Sequence, residues 1–419
     1  MPDVDEPTPG RGPSRRALLG LAAAGAVGAG LGAGGMAVAA RGDDGDVGGR
    51  TFAFHGEHQA GITTPVQQHL YLASLDVVDG LDRDGLRGLL EDWSAAAERM
   101  TRGLDVTPAG AVGGSPLVPP DDTGEALGLG PHGLTVTFGL GPGIFDDRFG
   151  LADRRPAALE PLPAFSFDLL EERISGGDLC VQACADDPQV AVHAIRNLSR
   201  IAFGRAQVRW TQLGYGRTSR TTAGQQTPRN LFGFKDGTAN VLADDADALR
   251  DWVWADAGEP AWMSGGSYLV TRKILMLVES WDRVRLEEQE AIIGRDKGEG
   301  APLGLEREGD APDFGLASTA TGPLIPATAH VRLAHPDANG GVRLLRRGYN
   351  FVEGNNDLGQ ITAGLFFIAY VRDPEQFVTV QRSLREDALN EYVRHVGSAL
   401  FAVPPGARPG GFVGEALFS

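Results

Sequence analysis

Apolar and polar residues alternate through His69–Val77 with the two-residue period of a half-buried strand, and Asp84–Met100 then carries helical spacing. A Gly- and Pro-rich loop through Pro108–Pro131 leads to two strand-like runs, Leu134–Leu140 and Asp178–Ala185. Pro188, favoured in a first helical turn, predicts a helix through Val190–Ala202, and Gln207–Tyr215 reads as a further strand. This is the β-α-β-β-α-β order of a ferredoxin-like unit. The rest of the chain repeats it loosely. Ser267–Glu279 reads as a strand, Val284–Ile293 as a helix, Ala329–Ala334 and Gly364–Val371 as strands, and Pro374–Leu384 as a helix. The pattern predicts an α+β protein of two ferredoxin-like halves with antiparallel sheets, residues 51–220 and 226–419. Their boundary falls in the polar, linker-like segment Arg217–Pro228.

Composition narrows the class. The 419 residues are 42% hydrophobic and 22% charged, which excludes a disordered or fibrous chain. The 59 glycines and 26 prolines follow no fixed period and so imply turns, not collagen. A net charge of -17 repels phosphate backbones and anionic membrane surfaces, so nucleic acid is not an expected partner. With only Cys180 and Cys184, a disulfide scaffold and four-thiolate metal sites are excluded. Four residues apart in one strand, the two thiols would be separated by roughly 13 Å, beyond disulfide reach, and are expected to be buried small hydrophobes.

Ser14-Arg15-Arg16-Ala17-Leu18-Leu19-Gly20 precedes an uncharged Ala/Gly/Val/Leu run to Ala40, with Ala37-Val38-Ala39 as a candidate cleavage site. Residues 1–40 match a twin-arginine export signal. The run is long enough to span a bilayer, but its Gly and Ala content makes a weak permanent anchor. Export to an extracellular, cell-envelope or periplasmic location is therefore expected, by a route that carries proteins already folded around a cofactor.

Three segments offer chemistry. His330, within Ala327–Leu333, has an apolar setting in which a polar ring needs a partner, either as a satisfied core residue or as a metal ligand. His335 precedes a proline in a loop. In Gly233-Phe234-Lys235-Asp236-Gly237-Thr238-Ala239-Asn240 the glycines permit close backbone approach around one carboxylate, though an ordinary turn would use the same residues. Leu344-Leu345-Arg346-Arg347-Gly348-Tyr349-Asn350 places two guanidiniums among apolar residues, and one facing inward would need an anion.

Gly233–Asn240 carries the G-x-x-D-G signature of dye-decolourising (DyP-type) haem peroxidases. Further matches run through Ser267–Arg272, Gly294–Gly304, His330–Ala334 and Leu344–Tyr349. With His58–Pro65 and Phe145–Leu151, the chain after the signal resembles the exported deferrochelatase/peroxidase subgroup linked to bacterial iron uptake. The resemblance implies haem b in the second half, and the lack of a C-x-x-C-H motif makes its attachment non-covalent. It assigns His330 as the iron ligand, with Asp373 a candidate hydrogen-bond partner. It assigns Asp236 to relay the peroxide proton, Arg346 to stabilise developing negative charge, and Leu365 and Phe367 to the apolar wall. Lys235 and Arg272 become candidate cations for the propionates, and Gly237, Thr238 and His335 complete the candidate haem-binding set. A distal Asp–Arg pair favours acidic pH more readily than a distal histidine would.

The implied activity is reduction of hydrogen peroxide with oxidation of organic reductants or dyes; the alternative is release of iron from haem with the porphyrin intact. Bulky reductants would be oxidised through surface aromatics, for which Trp210, Trp252, Trp254, Trp262, Trp281 and Tyr215 are candidates. The resemblance is compatible with homo-oligomerisation and with iron-uptake components as partners.

Overall fold

Asp82 starts the first helix by accepting a hydrogen bond from Gly85 N at 2.8 Å, and Asp187 with Pro188 starts the second. These helices, α1 (Arg83–Met100) and α2 (Pro188–Ile201), are interleaved with β1 (His69–Val77), β2 (Thr135–Leu140), β3 (Leu179–Ala185) and β4 (Ala206–Arg217). Next come α3 (Ala246–Trp252), β5 (Ser267–Met276), α4 (Val278–Trp281), α5 (Leu286–Ile293), the short strands β6 (Ala317–Ser318) and β7 (Gly322–Pro323), and α6 (His330–Leu333). The chain continues through β8 (Leu345–Arg346), β9 (Tyr349–Asn355), β10 (Ile361–Val371), α7 (Glu375–Ser383) and β11 (Val393–Val403). This computed structural model describes residues 47–256, 258–318 and 322–419; the expected export signal, residues 1–40, lies outside them.

Two expectations are corrected. Ala329–Ala334 forms the helical turn α6, not a strand; five alternating residues also satisfy one turn of helix, so a short run does not distinguish the two. The strand beside β10 is instead β9, which pairs from Ala363↔Val352 to Phe366↔Tyr349. The sequence reading also lacked β11, whose register shifts between His395 and Gly397 and breaks the alternation.

Nine strands form one continuous sheet. The first four lie in the order β2-β3-β1-β4 and the later ones in the order β11-β5-β10-β9, with every pairing antiparallel. Two narrow seams join these groups: Tyr215↔Asn350 and Arg217↔Tyr349 between β4 and β9, and Ala402↔Leu140 between β11 and β2. Because β5 also pairs with β10, eight strands close into a ring, and β8 extends the line of β9 along β10. Closure leaves those strands without open edges.

The ring is filled by Leu70, Leu72, Phe351, Phe366, Ile368, Tyr370 and Phe401, with Cys180 and Cys184 free and buried among them. Burial pushes both thiols up, so they are inert. Outside it, Leu86, Leu89, Leu90 and Trp93 of α1 pack with Val190, Ala194, Ile195 and Leu198 of α2.

His395 of β11 is 7% exposed and lies near the buried Arg272–Asp168 ion pair. Burial and the Arg272 charge, partly opposed by Asp168, push its pKa down to about 4. As pH falls from the unfolded value near 6.5 through 4, the unfolded chain takes up a proton that the folded one refuses, so stability is lost. The cost by pH 4 is about 3 kcal/mol. Denaturant unfolding between pH 7 and pH 4 should show this loss, and His395→Gln should flatten the slope; an unchanged slope would assign the acid lability elsewhere.

Candidate active site

The segment around Asp236 folds back on itself. Asn230 N donates to Phe234 O at 3.1 Å and Asp236 N to Pro228 O at 2.9 Å, around Gly233 at φ 83°. Gly237 is left-handed at φ 89°, and a Cβ there would lie 2.9 Å from Ser219 Cα, so only glycine fits. The signature is thus both a turn and a close approach. It aims the Asp236 carboxylate at Arg346, whose Nη1 donates to Oδ1 at 2.8 Å across 110 residues of sequence.

Glu308 ties down the same segment. Its carboxylate accepts from Lys235 Nζ at 2.8 Å and from Thr238 Oγ1 at 3.0 Å. Burial works against its charge, yet the bonds from Lys235, Thr227 and Thr238 prevail and hold the carboxyl below its ordinary range. The Lys235 cation is therefore already compensated, with Glu299 also 3.6 Å away. Arg272 is 1% exposed and paired with Asp168, with Phe165 lying over its guanidinium.

His330 opens α6, and Asp387 of the segment before β11 accepts from its Nδ1 at 2.6 Å. Backbone pairing of Ala388 N with Thr328 O at 3.0 Å brings the two segments together. The expected partner Asp373 is elsewhere: its carboxylate accepts from Glu375 N at 2.8 Å at the start of α7. Both aspartates precede helical turns and look alike in sequence; only the fold separates them. Burial disfavours a charged His330 ring, but the Asp387 charge and hydrogen bond prevail and raise its pKa, with Asp236 adding to the rise and Arg346 opposing it.

The His330 side chain is 36% exposed, so its unbonded edge keeps open space. Leu365 and Phe367 share one face of β10 and remain only partly buried, with Ile274 of β5 beside Leu365. Among the described residues Nε2 of His330 has no hydrogen-bond partner. A planar apolar group with a central metal fits this arrangement: an apolar wall, a free imidazole nitrogen, and an acid–guanidinium pair.

His335 takes another position. Its Nδ1 accepts from Asp337 N at 3.2 Å, capping a short 3-10 helix, and its ring meets Phe314 edge-on. The aromatic candidates also divide. Trp210, Trp262 and Trp281 are 7%, 2% and 1% exposed and so belong to the core. Trp254 stacks on His58 at 3.6 Å, and Tyr215 is 42% exposed.

An acid paired with a guanidinium, and a histidine with one available imidazole nitrogen, are what a haem peroxidase requires of its protein. The model of the Dyp-type peroxidase N-terminal domain matches residues 59–216, and that of the C-terminal domain residues 227–408. The chain belongs to the Dyp-type peroxidase family and is a haem-binding enzyme with peroxidase activity. It is 39% identical over 374 residues to a deferrochelatase of Escherichia coli strain K12, covering 87% of this chain and 86% of that protein. Ferric DtpA from Streptomyces lividans superposes with a TM-score of 0.81 at 41% identity, over 89% of this chain and 98% of that one. A DyP-type peroxidase from Cellulomonas bogoriensis gives 0.80 at 39% identity, over 89% and 99%.

In haem-free protein, NMR titration of the His330 ring should give a midpoint above the ordinary histidine value. Asp387→Asn should lower it and Asp373→Asn should leave it unchanged; the reverse pattern would refute the partner seen here.

Proposed function

We propose that the chain is an exported peroxidase that holds haem b non-covalently between His330 and the Asp236–Arg346 pair, in the second of two ferredoxin-like halves. The observation that carries this reading is that pair, at 2.8 Å, together with His330, whose Nδ1 is held by the Asp387 carboxylate and whose Nε2 has no hydrogen-bond partner among the described residues. Strand orders β2-β3-β1-β4 and β11-β5-β10-β9, each with two helical connections, support the two-half description. Bound haem supplies the redox-active iron at which hydrogen peroxide is reduced.

The protein's part is to hold the ring and move one proton. His330 would hold the haem iron through Nε2, while Asp387 keeps the proton on Nδ1 and so fixes the ring's tautomer and orientation. Asp236 accepts the peroxide proton through its carboxylate oxygens, and the Arg346 guanidinium stabilises negative charge on the departing oxygen. Both keep some solvent access, 16% for Asp236 and 27% for Arg346, so a small hydrophilic oxidant can reach them. Leu365 and Phe367 exclude water from the apolar side. Gly237 and Thr238 shape the rim, while Lys235 and Arg272 serve the haem carboxylates only if they exchange the ion pairs they now make.

A second reading, release of iron from haem with the porphyrin intact, is favoured by the 39% identity to proteins named deferrochelatase. Mass spectrometry separates the readings: metal-free porphyrin accumulates in one, oxidised organic reductant in the other. For export, supported by Arg15-Arg16 and the apolar run after them, the double variant Arg15→Lys, Arg16→Lys should leave precursor in the cytoplasm.

His330→Ala should lose most of its haem, because the one strong protein–iron bond is gone; full retention with an unchanged spectrum would move the ligand elsewhere. With haem retained, stopped-flow decay of the resting Soret band should slow about 10²–10³-fold at every pH in Arg346→Leu. Asp236→Asn should lose the limb of the pH profile that reports carboxylate ionisation, with a loss of about 10²–10⁴-fold where the wild type is fastest. Wild-type rates in both variants would dismiss the pair.

A further inference from the structure

An ion pair with access to solvent orients itself weakly, yet Asp236 and Arg346 come from distant segments and must meet with catalytic precision. Asn240 links them. It is 3% exposed, and its side chain makes three hydrogen bonds. Oδ1 accepts from Arg346 N at 2.7 Å, while Nδ2 donates to Arg346 O at 2.9 Å and to Arg220 O at 2.7 Å.

The pattern has a strand-like logic. Arg346 sits opposite Ala369 of β10, and the next residue, Arg347, donates its N–H to Ile368 O at 2.9 Å. Successive residues of a strand turn their backbone groups to opposite edges, so those of Arg346 face away from β10, where no strand follows. A carboxamide offers the same donor and acceptor as a peptide unit. Asn240 therefore acts as a one-residue strand on the open edge of β8. It is also the last residue of the turn that carries Asp236, with its own N–H bonded to Gly237 O at 3.2 Å. Glu308 anchors the same turn through Lys235 and Thr238, so Asp236 lies between two fixed points.

We infer that Asn240 is a positioning residue that sets the Asp236 carboxylate against the Arg346 guanidinium and acts through the backbone of Arg346. This inference rests on the proposed proton-handling role of that pair, and its test keeps the two separable. In haem-free protein, amide exchange at Arg346 should accelerate about tenfold in Asn240→Ala, with β10 amides unaffected. In the holoenzyme the peroxide step should slow up to about 10²-fold, with haem retention and reductant KM unchanged. Asn240→Gln, which keeps both the donor and the acceptor but moves them one methylene out of register, should fall between; it carries the test if the alanine variant does not fold. Added to Arg346→Leu, Asn240→Ala should cause no further loss.

A normal peroxide step in both Asn240 variants while Arg346→Leu is slow, or a fully additive loss in the double variant, would overturn the inference alone. Faster exchange spread evenly over the whole sheet would also overturn it, as general destabilisation. Wild-type rates in Arg346→Leu itself would overturn the underlying reading, and this inference with it.

Discussion

Strand β10 hydrogen bonds along one edge to β5 and along the other to β9 and then β8, and much of the structure depends on this double use. The ring closes through it, because β5 continues to β11 and β9 continues to β4. Its two faces serve different purposes. Phe366, Ile368 and Tyr370 fill the ring, while Leu365 and Phe367 point the other way. A slip of one residue in its register would exchange the two sets. The strict alternation of β10 therefore couples the filling of the barrel to the apolar face that carries Leu365 and Phe367.

The paired arginines show the same two-sidedness. Arg346 reaches the carboxylate of Asp236, whereas Arg347 is wholly buried and donates to Thr64 O at 2.5 Å and to Gln67 Oε1. Among the described residues it has no carboxylate partner, so neutral oxygens carry its charge-assisted bonds. This gives the early motif His58–Pro65 a structural purpose. Thr64 supplies the acceptor, and Gln59 bonds Phe138 N at 2.8 Å and Pro404 O at 2.9 Å, holding the segment against the barrel. The role that sequence left open for Arg347 is thus structural, and the expectation that one guanidinium faces inward holds without the anion expected beside it.

Much of the fold was legible because its signals are local. β1, α1, β3, α2 and β10 follow from periodicity and caps, and each matches its expected segment closely. β9 was hidden because only its first three residues, Tyr349, Asn350 and Phe351, are buried, so no alternation runs its length. α6 was misread because its apolar spacing suits either period. Of the candidate site, Asp236, Arg346 and His330 were legible through short motifs; the structure pairs the first two at 2.8 Å and joins the third to Asp387. Asp387 and Glu308 were not, since their roles arise from contacts 57 and about 70 residues away in sequence. Asn240 stood inside a recognised motif, but its bond to a backbone 106 residues distant leaves no trace in composition.

The open space beside His330 also has a thermodynamic consequence. The His330 side chain keeps 36% exposure, and Leu365, Phe367 and Ile274 remain only partly buried, so packing there is incomplete. A molecule that fills the space binds the native chain and not the unfolded one, so it adds RT ln(1 + [L]/Kd) to the free energy of unfolding, about 2.7 kcal/mol at a hundredfold excess over Kd. The melting temperature of this protein is therefore a gauge of its loading. A preparation of mixed occupancy should be read as two populations of different heat resistance.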